Sequence, residues 1–573
     1  MSFETKYQQW LEQEGLESYL KEQLENMNET EKEDAFYRNL EFGTGGMRGV
    51  VGPGTNRMNV YTIRKANEGF AQYLLKNVEN AKERGIVIAY DCRHFSPEFA
   101  MESAKVMATH GIKAYVFESL RPTPELSFAV RYLNAAGGIV VTASHNPPEY
   151  NGYKIYDETG CQLVPAEADQ VIELVDSIED VFKISVKSEE ELKEAGLIQI
   201  IGSEIDDVYT ERVKALEINP DCNKKDLKIV FSPLHGTANI PVRRVLTECG
   251  YEQLHVVEEQ CVADPNFTTV KSPNPEEASA FEMSIALGKE IDADILIATD
   301  PDADRVGLAV KNPEGEYVLL TGNQTGAILI HYILSQKKAH GTLPTKGKVF
   351  NTIVTSDMGA TIARSYGFDV VSTLTGFKFI GEQARLIENT DYEYVFGYEE
   401  SYGYLIGDFV RDKDSVQSVL MCAEAAAYYK EHGKTLYDVL MELYETYGFY
   451  REALVNITLK GKEGADKIQA ILSDFREFTP VTVAGKEVVS VEDYKESVHT
   501  DLTNDSTSVI DLPKSNVLKY TLADGSWFVL RPSGTEPKAK VYIGVISDVL
   551  EKADAQVAKI KEDVLARVNE IIA

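Results

Sequence analysis

Apolar and polar positions along the chain fall into blocks that predict repeated strand–helix units. Residues 85–91, 227–233 and 347–353 read Gly-Ile-Val-Ile-Ala-Tyr-Asp, Leu-Lys-Ile-Val-Phe-Ser-Pro and Gly-Lys-Val-Phe-Asn-Thr-Ile. Each has a basic or glycine start, an apolar β-rich run and a polar exit, the pattern of strands buried in a parallel sheet. Their wide spacing predicts three α/β domains of related design. Tyr7 to Met27 is amphipathic at helical period and predicts one helix. The glycine-rich stretch Gly43 to Gly49 breaks regular structure. The last part is patterned differently. Glu452 to Leu459 and Val481 to Val491 predict strands flanking a helix near 464–476. Asp524-Gly525 within Tyr520 to Leu530 predicts a tight hairpin. Residues 549–572 predict a closing helix with Leu550, Val557, Ile560, Val564, Val568 and Ile571 on one face. The expected division is 1–203, 204–316, 317–446 and 447–573, the last a smaller α+β domain.

Composition narrows the function classes. A chain of 573 residues is too long for one ordinary core and implies several domains. The formal net charge of −33 repels nucleic acid and anionic membrane surfaces, so neither is expected as a partner. A phosphorylated substrate would need local arginine and lysine to overcome that field. No apolar run reaches the roughly 18 residues of a membrane span. The start Met1-Ser2-Phe3-Glu4-Thr5 lacks the basic and apolar regions of a secretory signal. The six cysteines form no C-x-x-C pair, which points to reduced thiols, a cytoplasmic location and no structural zinc.

Four loops could carry chemistry. In Thr142-Ala143-Ser144-His145-Asn146-Pro147-Pro148, an apolar strand exits into a proline-stiffened loop, a sensible place for a nucleophile or for a merely structural turn. Neighbouring side chains usually point apart, so no Ser144–His145 dyad is expected. No G-x-S-x-G elbow occurs, which disfavours a hydrolase triad. In Asp300-Pro301-Asp302-Ala303-Asp304-Arg305, three alternating carboxylates would project to one side of an extended chain. They would suit an oxygen-loving cation such as magnesium or calcium, or would form a solvated acidic turn. An EF-hand loop fails, with Arg305 at the sixth position and Lys311 at the twelfth. Glu399 and Ser401, two apart, could bind neighbouring sugar hydroxyls or start an acidic helix. Arg531-Pro532-Ser533-Gly534-Thr535 offers a cation, two hydroxyls and a glycine to a phosphate dianion, or forms a surface turn. No Walker-type phosphate loop is present.

Together, and in this order along the chain, these loops resemble those of the α-D-phosphohexomutase family. The resemblance runs from about Phe42 to the C-terminus and is nearest the long-chain phosphoglucomutase/phosphopentomutase branch. It implies a four-domain architecture, three α/β domains and a smaller α+β domain around a cleft. It implies a phosphoserine at Ser144 and magnesium on Ser144, Asp300, Asp302 and Asp304. Catalytic roles would fall to Arg48, His145, Lys154, Arg305 and Lys413. Substrate contacts would come from Thr375, Gly376, Glu399, Ser401, Arg531, Ser533, Gly534 and Thr535. The implied reaction moves phosphate between C1 and C6 of glucose through glucose 1,6-bisphosphate, which would also serve as activator. Pentose or mannose phosphates by the same mechanism, or a non-catalytic sugar-phosphate sensor, are the alternatives. Two departures from the family pattern stand out. Some bacterial members place histidine where this chain has Gly403, and some long-branch members have alanine where it keeps Ser401.

Overall fold

The computed structural model describes residues 2–43, 46–459, 461–533 and 538–572, without the side chains of 461 and 462. It divides into two compact units. The first comprises residues 1–325, 335–348 and 377–437; the second comprises 326–334, 349–376 and 438–573.

Two sheets organise the first unit. In one, strands run in the order Gly46–Val50, Tyr150–Tyr156, Gly137–Val141, Ile86–Tyr90, Ala114–Phe117, Ile198–Ile201. The last four are mutually parallel, and the first two are antiparallel additions. Ile86–Tyr90 and Gly137–Val141 are buried along their whole length, as their unbroken apolar runs require. Helices Val60–Asn77 and Ser96–Thr109 contribute Ile63, Phe70, Phe99 and Met107 to the core beside this sheet. The second sheet has the order Tyr317–Leu319, Val306–Lys311, Ile295–Thr299, Ile229–Ser232, Leu254–Val256. Its last three strands are parallel and the first two antiparallel. Strand Glu393–Tyr398 of the same unit pairs antiparallel with Tyr404–Leu405.

The single helix expected over Tyr7 to Met27 is two, Phe3–Leu11 and Ser18–Asn26. Gly15 separates them at φ +75°, a left-handed turn open to glycine without steric cost. The break lets Trp10 pack edge-on against Phe36, Tyr61 and Phe182 while Leu20 and Leu24 join the same cluster.

The second unit contains an antiparallel sheet. Its order is Phe449–Thr458, Lys538–Ser547, Trp527–Pro532, Leu518–Leu522, Lys486–Asp493, Val498–Asp501, Ser506–Val509. Helices Gly461–Glu477 and Leu550–Ile572 close its core with Ile471, Phe475, Ile560 and Val564. The strand expected over Val481 to Val491 is folded on itself: Ala484 and Gly485, at φ +52° and +71°, make a tight turn between Thr482–Val483 and Lys486–Asp493. This unit also holds strand Asp369–Thr373, helix Asp357–Ser365 and residues 349–352 of strand Gly347–Thr352. Asp357 accepts the Trp527 indole N–H at 3.0 Å, and Lys519 donates to the Ile353 carbonyl at 3.0 Å.

Candidate active site

Three of the four loops read from the sequence occupy one topological position. Each leaves the end of a sheet strand and returns as its antiparallel neighbour. The pairs are Gly137–Val141 with Tyr150–Tyr156, Ile295–Thr299 with Val306–Lys311, and Glu393–Tyr398 with Tyr404–Leu405. Each loop also holds one non-glycine residue in the left-handed region: Ser144 at φ +50°, Ala303 at +59° and Tyr402 at +64°. Such a conformation costs about 1–3 kcal/mol and persists only when its surroundings hold it.

For Ser144 the support is on the page. Asp91, at the exit of Ile86–Tyr90, accepts from Thr142 Oγ1 at 2.6 Å, Ser96 Oγ at 2.8 Å and the Arg93 N–H at 3.0 Å. Thr142 Oγ1 in turn accepts from the Ser144 N–H at 2.9 Å. Arg93, fully buried, donates to the carbonyls of Ser144, Asn146, Pro147 and Tyr150. One guanidinium fork thus clamps four loop carbonyls, a task its planar donors suit. Sequence reasoning missed Asp91 and Arg93. Their signal was position, because both sit at the carboxyl end of a parallel strand, where α/β sheets place their sites.

Ser144 is buried, and its Oγ donates to Asp300 Oδ2 at 2.6 Å and lies 3.2 Å from His145 Nδ1. The expectation that Ser144 and His145 point apart is therefore corrected. The left-handed turn at Ser144 removes the alternation of extended backbone and lets consecutive side chains meet. Burial and the cations Arg305 and Arg48 hold the His145 imidazole well below its ordinary pKa, so it is neutral at neutral pH.

Asp300, Asp302 and Asp304 bring carboxylate oxygens within 4.8 Å of one another. They converge because the chain turns and not because it is extended. The Ala303 N–H donates to the Asp300 carbonyl at 3.0 Å, and the Asp304 and Arg305 N–H groups donate to Asp300 Oδ1 at 3.0 and 2.9 Å. Asp302 accepts from Lys154 Nζ at 2.7 Å and Thr123 Oγ1 at 2.8 Å; Lys413 Nζ lies 3.1 Å from Asp304. Even so, among the described residues Asp302 Oδ1 and Asp304 Oδ1 are buried without a hydrogen-bond partner, Arg305 Nε lying 3.9 Å from the latter. Three converging carboxylates with two orphan oxygens and no sulfur or nitrogen ligand fit a hard divalent cation. Burial and the flanking Asp304 and Asp302 push the Asp300 carboxyl well above its usual range, while against burial Lys154 holds Asp302 ionised.

Glu399 is buried at the exit of Glu393–Tyr398, its N–H donating to the Gly403 carbonyl at 2.9 Å; Ser401 follows, half-buried. The Tyr402 carbonyl accepts from the Val306 N–H, tying this loop to the carboxylate hairpin. A Cβ at Gly403 would lie 2.0 Å from Lys413 Cδ. The glycine that departs from some family members thus makes room for the lysine stem, which a histidine would displace. Lys413 is pushed up by Asp304 and Asp412 in spite of burial. Asp412 accepts from the buried Tyr156 hydroxyl at 2.7 Å. Arg305 pairs with Glu276, a partner not read from the sequence, and against burial Glu276 and Asp304 raise the Arg305 guanidinium above its ordinary range. Arg48, exposed on Gly46–Val50, donates to Asn146 Oδ1 at 2.8 Å. The first unit thus brings together Ser144, His145, Lys154, the three aspartates, Arg305 and Lys413, with Arg48 on the serine loop. The second unit carries Thr375 and Gly376 after Asp369–Thr373, and Arg531 and Ser533 at the end of Trp527–Pro532. There Arg531 Nη1 donates to Tyr542 Oη at 3.4 Å, and the Ser533 N–H to the Lys538 carbonyl at 2.8 Å. Gly534 and Thr535 lie outside the described residues.

Family models for the phosphoglucomutase/phosphomannomutase alpha/beta/alpha domains I, II and III match residues 39–182, 207–315 and 321–447, and the model for the C-terminal domain matches 454–566. A phosphoglucomutase of Staphylococcus epidermidis is 39% identical over 532 residues, 93% of this chain and 95% of that one. One from Staphylococcus aureus is 39% identical over 546 residues, 94% and 96% of the two chains. Among solved structures, the open form of the phosphoglucomutase parafusin from Paramecium superposes with TM-score 0.67 at 19% identity, covering 93% of this chain and 95% of that one. A phosphoglucomutase/phosphomannomutase family protein from Burkholderia thailandensis gives 0.65 at 19%, covering 93% and 97%.

Proposed function

The chain belongs to the phosphoglucomutase/phosphomannomutase family, and from that premise we propose that it interconverts glucose 1-phosphate and glucose 6-phosphate through a phosphorylated Ser144. It is an isomerase that works by phosphoryl transfer. The observation that carries the reading is Ser144 Oγ held 2.6 Å from Asp300, in a loop where, among the described residues, two carboxylate oxygens accept no hydrogen bond. Binding alone needs neither nucleophile nor cation, which speaks against a sugar-phosphate sensor.

Phosphoryl transfer asks for positioning and charge neutralisation more than covalent help. Magnesium held by Asp300, Asp302, Asp304 and a Ser144 oxygen would supply that neutralisation. The residues of the chain do the rest. Arg93 and Thr142 fix the serine loop so that Oγ faces the carboxylate hairpin. Arg305 and Lys413, both cationic, would pair with oxygens of the transferring group. Lys154 holds Asp302 ionised. In the first half-reaction the Ser144 Oγ–P bond breaks and a bond from phosphorus to a sugar hydroxyl oxygen forms. The hydroxyl proton ends on Ser144 Oγ, within reach of neutral His145. The product is glucose 1,6-bisphosphate, and the second half returns the other phosphate to Ser144. Glu399 and Ser401 would hold neighbouring sugar hydroxyls, since a carboxylate accepts from two and a serine donates or accepts. Thr375, Gly376, Arg531, Ser533, Gly534 and Thr535 would bind the remaining sugar and the non-reacting phosphate. Arg48 would bind phosphate beside the serine loop.

The test is turnover of glucose, mannose, glucosamine and ribose 1-phosphates with saturating bisphosphate activator and magnesium. Glucose 1-phosphate should give the highest kcat/KM. A tenfold preference for ribose, about 1.4 kcal/mol in transition-state binding, would reassign the substrate to pentose phosphates. Absence of turnover with all four would overturn the mutase reading.

A further inference from the structure

The first unit holds a cavity of about 510 Å³ whose lining includes none of the three loop aspartates. That volume falls in the range of small-molecule sites. Leu120, Ile240, Pro241 and Ala263 give it apolar walls, and Ile240 at the rim is 70% exposed. Among the described residues, Thr237 Oγ1 in its lining has no hydrogen-bond partner, on a side chain buried to 2% exposure, while the buried Glu125 carboxyl is hydrogen-bonded to Asp206. An unmet buried polar group costs about 1–3 kcal/mol, so this hydroxyl stores a demand that an occupant would meet. The charged groups around it are already matched. Arg121 makes a bidentate pair with Asp206 at 2.8 and 2.9 Å, and Arg244 pairs with Asp207 and Glu248, both at 2.8 Å. Burial and the adjacent Asp206 push the Glu125 carboxyl well above its ordinary range, which leaves it neutral. A charged ligand would find no unmatched countercharge in these walls.

The cavity also touches the machinery. The Thr237 N–H donates to the Pro301 carbonyl at 2.9 Å, and a Cβ on Gly236 would lie 2.4 Å from Pro301 Cα. Thr123, at the start of the helix that carries Glu125, donates through its N–H and hydroxyl to the Asp302 carbonyl and Oδ2 at 2.9 and 2.8 Å. An occupant pressing on Thr237 or Glu125 therefore presses on the backbone that sets the carboxylates.

We propose that this cavity is a second ligand site, for a small uncharged alcohol or amide with an apolar body, and that its occupancy alters cation binding by the carboxylate loop. The second half of the statement rests on the cation reading above; the first does not. Ligand-observed NMR with the full-length protein tests the first, using benzyl alcohol as probe with benzoate and benzylamine as charged counterparts. Benzyl alcohol should bind and the charged analogues should bind less. Thr237→Val removes only the orphan hydroxyl, and Ile240→Glu alters an exposed rim residue whose replacement leaves the core intact. Each should weaken benzyl alcohol by about fivefold, the worth of one hydrogen bond or apolar contact. No binding to the wild type, binding unchanged in both variants, or tighter binding of either ion would overturn the site. Manganese titration by electron paramagnetic resonance tests the coupling without turnover. Saturating benzyl alcohol should shift manganese affinity by about fivefold or more, the usual scale of coupling between sites. Probe binding with unchanged manganese affinity overturns the effector role. Failure of the wild type to bind manganese at all would refute the cation reading instead.

Discussion

Ser144 Oγ and Asp300 Oδ2, 2.6 Å apart, set what can be tested at the scale of single residues. Ser144→Ala should lose phosphate from the peptide spanning the serine loop and lose turnover, as read by peptide mass mapping and the glucose 1-phosphate assay; a phosphorylated, active variant would end the mechanism. The Asp302→Ala, Asp304→Ala double variant should abolish both activity and manganese binding, and unchanged titration curves would remove the cation from this loop. Arg93 is a positioning residue and tests differently. Arg93→Met takes away donors from four carbonyls inside the protein, and breaking buried charge-assisted contacts commonly costs about 3–5 kcal/mol. It should lower the melting temperature and the phosphorylated fraction of Ser144 while leaving manganese affinity near that of wild type. Normal phosphorylation with a lowered melting temperature would confine Arg93 to stability. Residue types left Ser144 open between a nucleophile and a structural turn and the aspartates open between a cation site and an acidic turn; the order of the four loops singled them out, and the structure adds that Ser144 and Asp300 meet. Asp91 and Arg93 were legible only by their place after a parallel strand and Glu276 not at all, since an isolated arginine or acid in sequence says nothing of which carbonyls or cations it will meet. The Ser144–His145 contact was misread because it depends on one left-handed φ that no residue type announces.

At the scale of elements, the candidate site residues sit in hairpin-like returns at strand ends, and the next element in the chain helps hold them. Helix Ser415–Glu431 is capped by Asp414, whose carboxylate accepts the Gln417 N–H at 3.1 Å and the Tyr209 hydroxyl at 2.8 Å. The preceding residue is Lys413, and the Ser415 N–H reaches the Ala303 carbonyl, so the cap lies between two site segments. Burial outweighs these hydrogen bonds and raises the Asp414 carboxyl to about 6. A folded-state pKa above the unfolded value near 3.8 means the folded chain holds the proton longer. Its contribution is therefore complete below about pH 4 and is lost as pH rises through 6. Two pH units correspond to about 3 kcal/mol. Asp414→Asn keeps the cap's acceptor but cannot ionise, so its melting temperature relative to wild type should rise between pH 4.5 and 7.5. A relative fall over that window would reverse the sign and refute the burial argument. Much of the element order was legible, because strands buried on both faces print unbroken apolar runs. The breaks at Gly15 and at Ala484-Gly485 were not, since apolar periodicity continues across a turn whose two arms pack on the same core.

For the molecule as a whole, the formal charge of −33 arises from 91 acidic against 58 basic side chains. The described site does not offset it by itself, for Lys154, Arg305 and Lys413 are already paired with Asp302, Glu276 and Asp304. On the proposed reading, a sugar phosphate would therefore approach against a repulsive field and meet attraction only at close range, with a cation held by the three aspartates. These two effects separate by distance. The Debye length is about 30 Å at 0.01 M ionic strength and about 8 Å at 0.15 M. Raising salt over that interval screens the distant surface charges strongly and the buried site pairs much less. At saturating magnesium, kcat/KM for glucose 1-phosphate should rise by about two- to tenfold between those ionic strengths, a modest effect for a field of this kind. Further salt should lower it again, once close-range attraction to Arg305 and Lys413 is screened as well. The decisive control is chemical, because an uncharged inhibitor of the same size should show no such maximum. A kcat/KM that falls steadily from the lowest salt upward would mean that local cations dominate the approach, and that the acidity of the surface serves solubility alone.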